Sequence, residues 1–238
     1  MEKDRCIMSF AGHMIDQPSR WPVRFPAYAE QAVQKSMQDV LLRYKPEIVV
    51  SSAACGGDLI FAEQALAVNA SLYIILPFED REDFIARSVS FAGDGWIQRF
   101  NYVCQKASAV LHIHPGGFIN PNDFERNQYA IMMFTLGYGK AEQMRIINLA
   151  LYDHTCPPNG LGGTQTYISL CNSLKLSLDT INLADIRKSL LESSGCSEIS
   201  AIPYDIDVQK SFFHSIKRSS GELSLRAALW QSNLSLNG

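Results

Sequence analysis

The sequence predicts an α/β fold: a doubly wound, mostly parallel sheet with helices on both faces. Three observations predict it. Short β-rich runs alternate with longer helical stretches through most of the chain. The runs are apolar at successive positions, as strands buried on both faces are. Each run is followed by a helical segment, the order a parallel sheet requires.

The elements follow in order. The first run, 6–10, closes on Ala11, Gly12 and His13, and a Pro/Arg-rich loop spans 17–26. Residues 27–42 are helical, with Ala32, Val33, Met37, Val40 and Leu41 forming an apolar stripe. Pro46 breaks the chain before the second run, 47–51. Gly56 and Gly57 open a helix over 58–68. The third run, 72–76, is stopped by Pro77, and the charged segment 79–87 begins another helix. A helix over 96–106 leads into the fourth run, 109–112. The next helix, 124–136, is expected to end at Gly137 and Gly139. The fifth run is 145–152, a Pro/Gly loop spans 157–163, a helix covers 164–174, and the sixth run is 178–183. We therefore expect one domain over 1–184. Residues 185–238 read as a linker, Ser-rich around 193–200, and a C-terminal extension with one helix over 222–230. The extension docks on the domain, binds an effector protein, or leads to a further region.

Composition narrows the classes. Of 238 residues, 47% are apolar and 19% charged, which excludes a chain disordered throughout. The net charge of −3 argues against bulk polyanion binding, so nucleic acid is not an expected partner; a small anionic ligand needs only a local site. Six scattered cysteines without a CxxC pair read as small core residues of a reduced protein. The first residues lack the pattern of a signal peptide, and no apolar run is long enough to span a membrane. A cytoplasmic protein with no membrane partner is expected.

Ligands of a doubly wound sheet bind beyond the carboxyl ends of its strands. Four segments occupy such places. Gly12 allows close ligand approach, and His13, Arg20 and Arg24 suit a phosphate. Residues 51–58 put small side chains, Ser52, Cys55, Gly56 and Gly57, before a helix whose N-terminus favours an anion. Asp58 repels phosphate at contact, so it suits a hydroxyl or a helix cap. Arg126 and Asn127 start another helix and suit phosphate and a base or ribose edge, with a solvated helical face as the alternative. Gly162, Gly163 and Thr164 repeat the pattern of glycine followed by a hydroxyl at a helix start. No base partner for Cys55 is identifiable, and His112, His114 and His154 lack further ligands, so neither a thiol nucleophile nor a metal is expected.

The stretch SSAACGGDLIFAEQAL at 51–66 resembles the Gly-x-Asp segment of the SLOG superfamily. That group includes DNA-processing A proteins, LOG-type nucleotide phosphoribohydrolases and the N-terminal regions of melastatin channels. The order of SFAGHMIDQPSRWPVRFP, SSAACGGD, LPFEDREDF, ERNQ and GLGGTQT is most similar to a bacterial SLOG-like domain fused to tetratricopeptide repeats or other signalling modules. The resemblance spans 6–184. It implies a Rossmann-like pocket for nucleotides or nucleotide-derived signals, in a stress-response or antiviral defence setting.

Hydrolases of that group carry Pro-Gly-Gly-x-Gly-Thr followed by a Glu. Here Gly162-Gly163-Thr164 is followed by Gln165 and Thr166, without that Glu. The expected function is therefore sensing of a small nucleotide-derived ligand, with no separate cofactor, in a homo-oligomer of two or more copies. The alternative is an enzyme cleaving a base–ribose bond. It needs a carboxylate at the reacting sugar, for which Asp58 and Glu125 are the candidates.

Overall fold

The computed structural model describes residues 5–18, 20–113, 122–155 and 163–193. Six strands form one sheet: β1 (Cys6–Gly12), β2 (Ile48–Ser51), β3 (Ser71–Leu76), β4 (Ala109–His112), β5 (Arg145–Tyr152) and β6 (Asp179–Asn182). Their spatial order is β4-β3-β2-β1-β5-β6 and every pairing is parallel. The chain steps outward from β1 to β4, then returns to the other side of β1 for β5 and β6. Strand order thus reverses between β1 and β5, where Ile7 lies opposite Ile146 in the register.

Seven helices cover the sheet: α1 (Glu30–Tyr44), α2 (Gly57–Ala67), α3 (Arg81–Ser88), α4 (Asp94–Lys106), α5 (Asp123–Ala141), α6 (Thr164–Ser173) and α7 (Leu183–Ser193). Side chains alternate along a strand, so β1 feeds two cores. Cys6, Met8 and Phe10 join Val33, Met37 and Leu41 of α1, Phe61 of α2 and Phe100 of α4. Ile7 and Ala11 join Ile131 and Met132 of α5 and Tyr167 and Cys171 of α6. Phe10 stacks on Phe61 at 4.3 Å between ring centroids, which fixes α2 over the end of β1. Such a pair adds roughly 0.5–1.5 kcal/mol beyond its area burial. Arg99 of α4 bridges Glu30 of α1 and Glu63 of α2 and lies over the Trp96 ring, binding three helices of one layer together.

One buried polar cluster has no apolar signature in the sequence. Ser9 of β1 contacts Asn148 of β5 at 3.0 Å and the Tyr167 hydroxyl at 2.6 Å, and Asn148 donates to the Ser177 carbonyl. These bonds anchor α6 to the sheet.

The expected helix ending at Gly137 continues through Gly139 to Ala141. Gly139 is there for packing: a Cβ would sit 2.7 Å from Ile146 Cγ1 and 3.0 Å from Ile7 Cγ2, so only glycine lets α5 lie this close to the sheet. The packed unit also continues past 184. Helix α7, which runs to Ser193, touches α1, and its Leu183 is fully buried. The helix expected over 222–230 lies outside the described residues.

Candidate functional site

A cleft of about 630 Å³ opens at the carboxyl ends of β1 and β5, the point where strand order reverses. Cofactor and ligand sites of doubly wound sheets occupy this place, and the volume suits a small organic ligand. It is lined by Gly12 and His13 at the end of β1, Ser52 after β2, Asp58 at the start of α2, and Tyr152 to His154 at the end of β5. Gly163 and Thr164, at the N-terminus of α6, form one side. Phe84, Arg87, Ser88 and Phe91, with Phe124, Asn127 and Gln128 of α5, form the other. Arg20 and Arg24 of the loop after β1 reach in from the rim.

The Asp58 carboxylate is 5% exposed and accepts the backbone N–H of Gly12 and of Ala54. Burial pushes its pKa up to about 7, against the smaller opposing effect of those two bonds. His13 moves the other way, down to about 4, through burial and then the nearby Arg24 and Arg20 guanidinium groups. The imidazole is therefore neutral at pH 7 and meets a ligand as a dipole, not as a cation.

Asp153 is buried at the end of β5. Burial alone would raise its pKa, but the Thr155 hydroxyl and amide and the Arg187 guanidinium outweigh it and hold it down to about 2. Arg187 of α7 lies 2.6 Å from Asp153 and also donates to the Arg24 carbonyl. Asp16 accepts the Arg24 amide N–H and pairs with Arg20 at 3.3 Å. On the cleft, Asp58 is about half protonated at pH 7 and bonded to backbone and Asp153 is paired with Arg187, while Arg20, Arg24 and Arg87 line it.

Of the sequence-derived candidates, Gly12, His13, Arg24, Ser52, Asp58, Asn127, Gly163 and Thr164 converge on this cleft. Gly163 has φ +61°, and among the described residues no atom beyond its chain neighbours lies within 4 Å of where a Cβ would stand. Gly162 and His114 lie outside the described residues.

Four candidates lie elsewhere than expected. Gly56 and Gly57, expected to cradle an anion, pack α2 on the end of β1 and do not line the cleft. The Gly57 N–H donates to the His13 carbonyl, and a Cβ there would stand 2.9 Å from Gly12 Cα. Gly56, at φ +99°, is pressed against the backbone of Met14 and Ile15. Both glycines let α2 meet the end of β1. Cys55 is fully buried, and burial followed by the nearby Asp58 pushes its pKa up to about 12, so it is a core thiol. The Arg126 side chain is 61% exposed and pairs with Asp123 at 3.2 Å, away from the cleft. Glu125 accepts a bond from Thr166 and does not line the cleft either.

Among the histidines, His112 bonds the Phe78 carbonyl and His154 stacks on Tyr152 at 4.1 Å. Gln128, Arg87, Tyr152 and Asp153 were not singled out from sequence. Tyr152 and Asp153 follow the fifth run directly, so the rule used for the other segments also points to them. Arg187 has no local signal.

The fold is Rossmann-like. No family model matches the chain, and no curated protein sequence matches it. Among solved structures the chain is similar to DNA processing protein A from Helicobacter pylori, at 14% identity and a TM-score of 0.33, covering 79% of this chain and 80% of that one. That structure is described for its single-stranded DNA binding mode. The expectation that nucleic acid is not a partner is withdrawn with this finding. Net charge is a sum over the whole surface, and the arginines on the cleft show how local charge departs from it. No helix among the described residues is long and apolar enough to cross a membrane.

Proposed function

We propose that this chain is a Rossmann-like module of SLOG type whose cleft binds a small phosphorylated, nucleotide-derived ligand. One observation carries the reading. At the point of strand-order reversal, Arg20, Arg24 and the N-terminus of α6 at Gly163 border a single cleft, in which His13 is neutral at pH 7 and Asp58 is about half protonated. Backbone N–H groups at a helix start together with guanidinium groups form a phosphate site without any catalytic side chain. The four described free cysteines are all buried, which fits the reducing cytoplasm that we propose as its compartment.

The test compares nucleoside monophosphates with their nucleosides by calorimetry, on the parent and on two variants. Arg24→Ala keeps the backbone bonds of residue 24 and is expected to weaken the monophosphate at least tenfold while leaving the nucleoside nearly unchanged. Arg126→Ala is expected to change neither. An equal loss from both variants, or no binding of any mononucleotide, overturns the reading. A single-stranded oligonucleotide that binds where mononucleotides do not would make this cleft a nucleic-acid site instead.

A second reading is favoured by Asp58. A buried carboxyl with a pKa of about 7 on the cleft floor can hand a proton to a leaving base, as cleavage of a base–ribose bond requires. Release of free base that disappears in Asp58→Asn would establish it.

A further inference from the structure

The part of the cleft lined by α3, residues 90–92 and α5 carries aromatic rings and amides beside Arg87 and Ser88. Among the described residues, two carbonyl oxygens on it have no protein partner: Asn127 Oδ1 and Gln128 Oε1. Asn127 is 1% exposed and Gln128 6%, and both line the cleft. The orientation of Asn127 is set, because its Nδ2 donates to the Ile75 carbonyl at the end of β3 at 2.8 Å. Its oxygen is the atom left over. Phe84, Phe91 and Phe124 line the same part of the cleft. Native proteins rarely seal two acceptors from both water and protein donors, and such a pair singles out a ligand that brings donors.

We propose that this wall is the base subsite of the cleft, and that Asn127 and Gln128 read the exocyclic amino group of a nucleobase. The proposal rests on the nucleotide reading above and adds the class of base. Aromatic rings accept a flat base by stacking or edge contact. An exocyclic NH₂ carries two donors, one for each oxygen. A keto base places an acceptor against the two carbonyls, and its single ring N–H, displaced along the edge, can serve at most one of them. A site built to hydrogen-bond a group discriminates strongly against an analogue that lacks it. The subsite therefore prefers adenine, cytosine or guanine type bases over hypoxanthine or uracil.

Calorimetry on the unmodified chain tests this with two matched pairs, AMP against IMP and CMP against UMP, and with 2′-deoxy-AMP. The amino-bearing member that binds is expected to bind at least tenfold more tightly than its keto partner. Gln128→Leu is expected to erase most of that preference while leaving inorganic phosphate competition unchanged. If the Leu variant does not fold, the AMP to IMP ratio on the parent still decides. Equal affinities within each pair overturn the proposal and leave the nucleotide reading standing. Equal AMP and IMP affinities with a tenfold loss for 2′-deoxy-AMP also overturn it, assigning the two oxygens to the ribose hydroxyls. Failure of all five to bind removes the nucleotide reading itself.

Discussion

The Asp58 carboxylate on α2 accepts the backbone N–H of Gly12 at the end of β1, at 3.0 Å. A carboxylate thus fills the place where a phosphate was expected, and a main-chain donor of the first strand end is already used. The same contact holds the floor of the cleft at the point of strand-order reversal.

Burial of this carboxylate sets a pH dependence. The folded pKa of Asp58 is raised to about 7 from the ordinary value of 3.8. Between those values the folded state holds the proton more tightly than the unfolded state, so this group lowers stability as pH rises from about 4 to 7. His13, lowered to about 4, acts in the opposite sense over an overlapping window, but it is present in both proteins compared and cancels in the difference. Asp58→Asn is expected to gain on the parent as pH rises through that window, by at most about 4 kcal/mol. Urea unfolding of both proteins at pH 4.5 and 7.5 measures it. Parallel profiles would mean that Asp58 ionises as it does in water.

Gly57→Ala is expected to destabilise by roughly 1–3 kcal/mol, the usual effect of overpacking. Its Cβ would meet Gly12 Cα at 2.9 Å, Leu151 Cδ2 at 3.0 Å and the His13 carbonyl at 3.1 Å. Gly137→Ala on α5 is the control, since nothing lies within 4 Å of its added Cβ. It is expected to hold or gain up to about 1 kcal/mol from helix propensity. Chemical denaturation of the two variants decides, and equal stabilities would contradict the close approach of α2 to β1.

Arg187→Ala is expected to cost about 3–5 kcal/mol, because it leaves the buried Asp153 carboxylate without its guanidinium partner. The sign with pH is fixed. Asp153 is held down to about 2, so its contribution is present above about pH 4 and is lost as pH falls towards 2. The gap between parent and variant should therefore narrow in acid. Adding Asp153→Asn to the variant should recover much of the loss at pH 7. A constant gap across pH would mean that Arg187 acts through packing alone.

The alternation of apolar runs with helical segments was enough to determine the layered parallel sheet, because a strand covered on both faces carries apolar side chains on both. Even strand ends such as Tyr152 and Leu76 were legible. The placement of the site beyond the strand ends was legible for the same reason: topology puts every loop after a strand on one edge of the sheet, and Gly12, Asn127 and Gly163 duly line one cleft. Direction was not legible. Arg126 and Asn127 are neighbours in sequence, yet a helix turns successive side chains about 100° apart, so one faces solvent and the other the cleft. The glycines were equally ambiguous. Gly57 and Gly163 both precede helix starts, but the first is closed against β1 and the second is open to the cleft. Only the packing of α2 on β1 separates them. Protonation was decided by tertiary structure as well: Asp58 and Asp153 are the same residue type, and burial raises one against its backbone donors, while a partner 34 residues further along the chain, Arg187, helps to lower the other. Local sequence sets which groups are near a strand end, whereas dielectric and distant partners set what those groups can do.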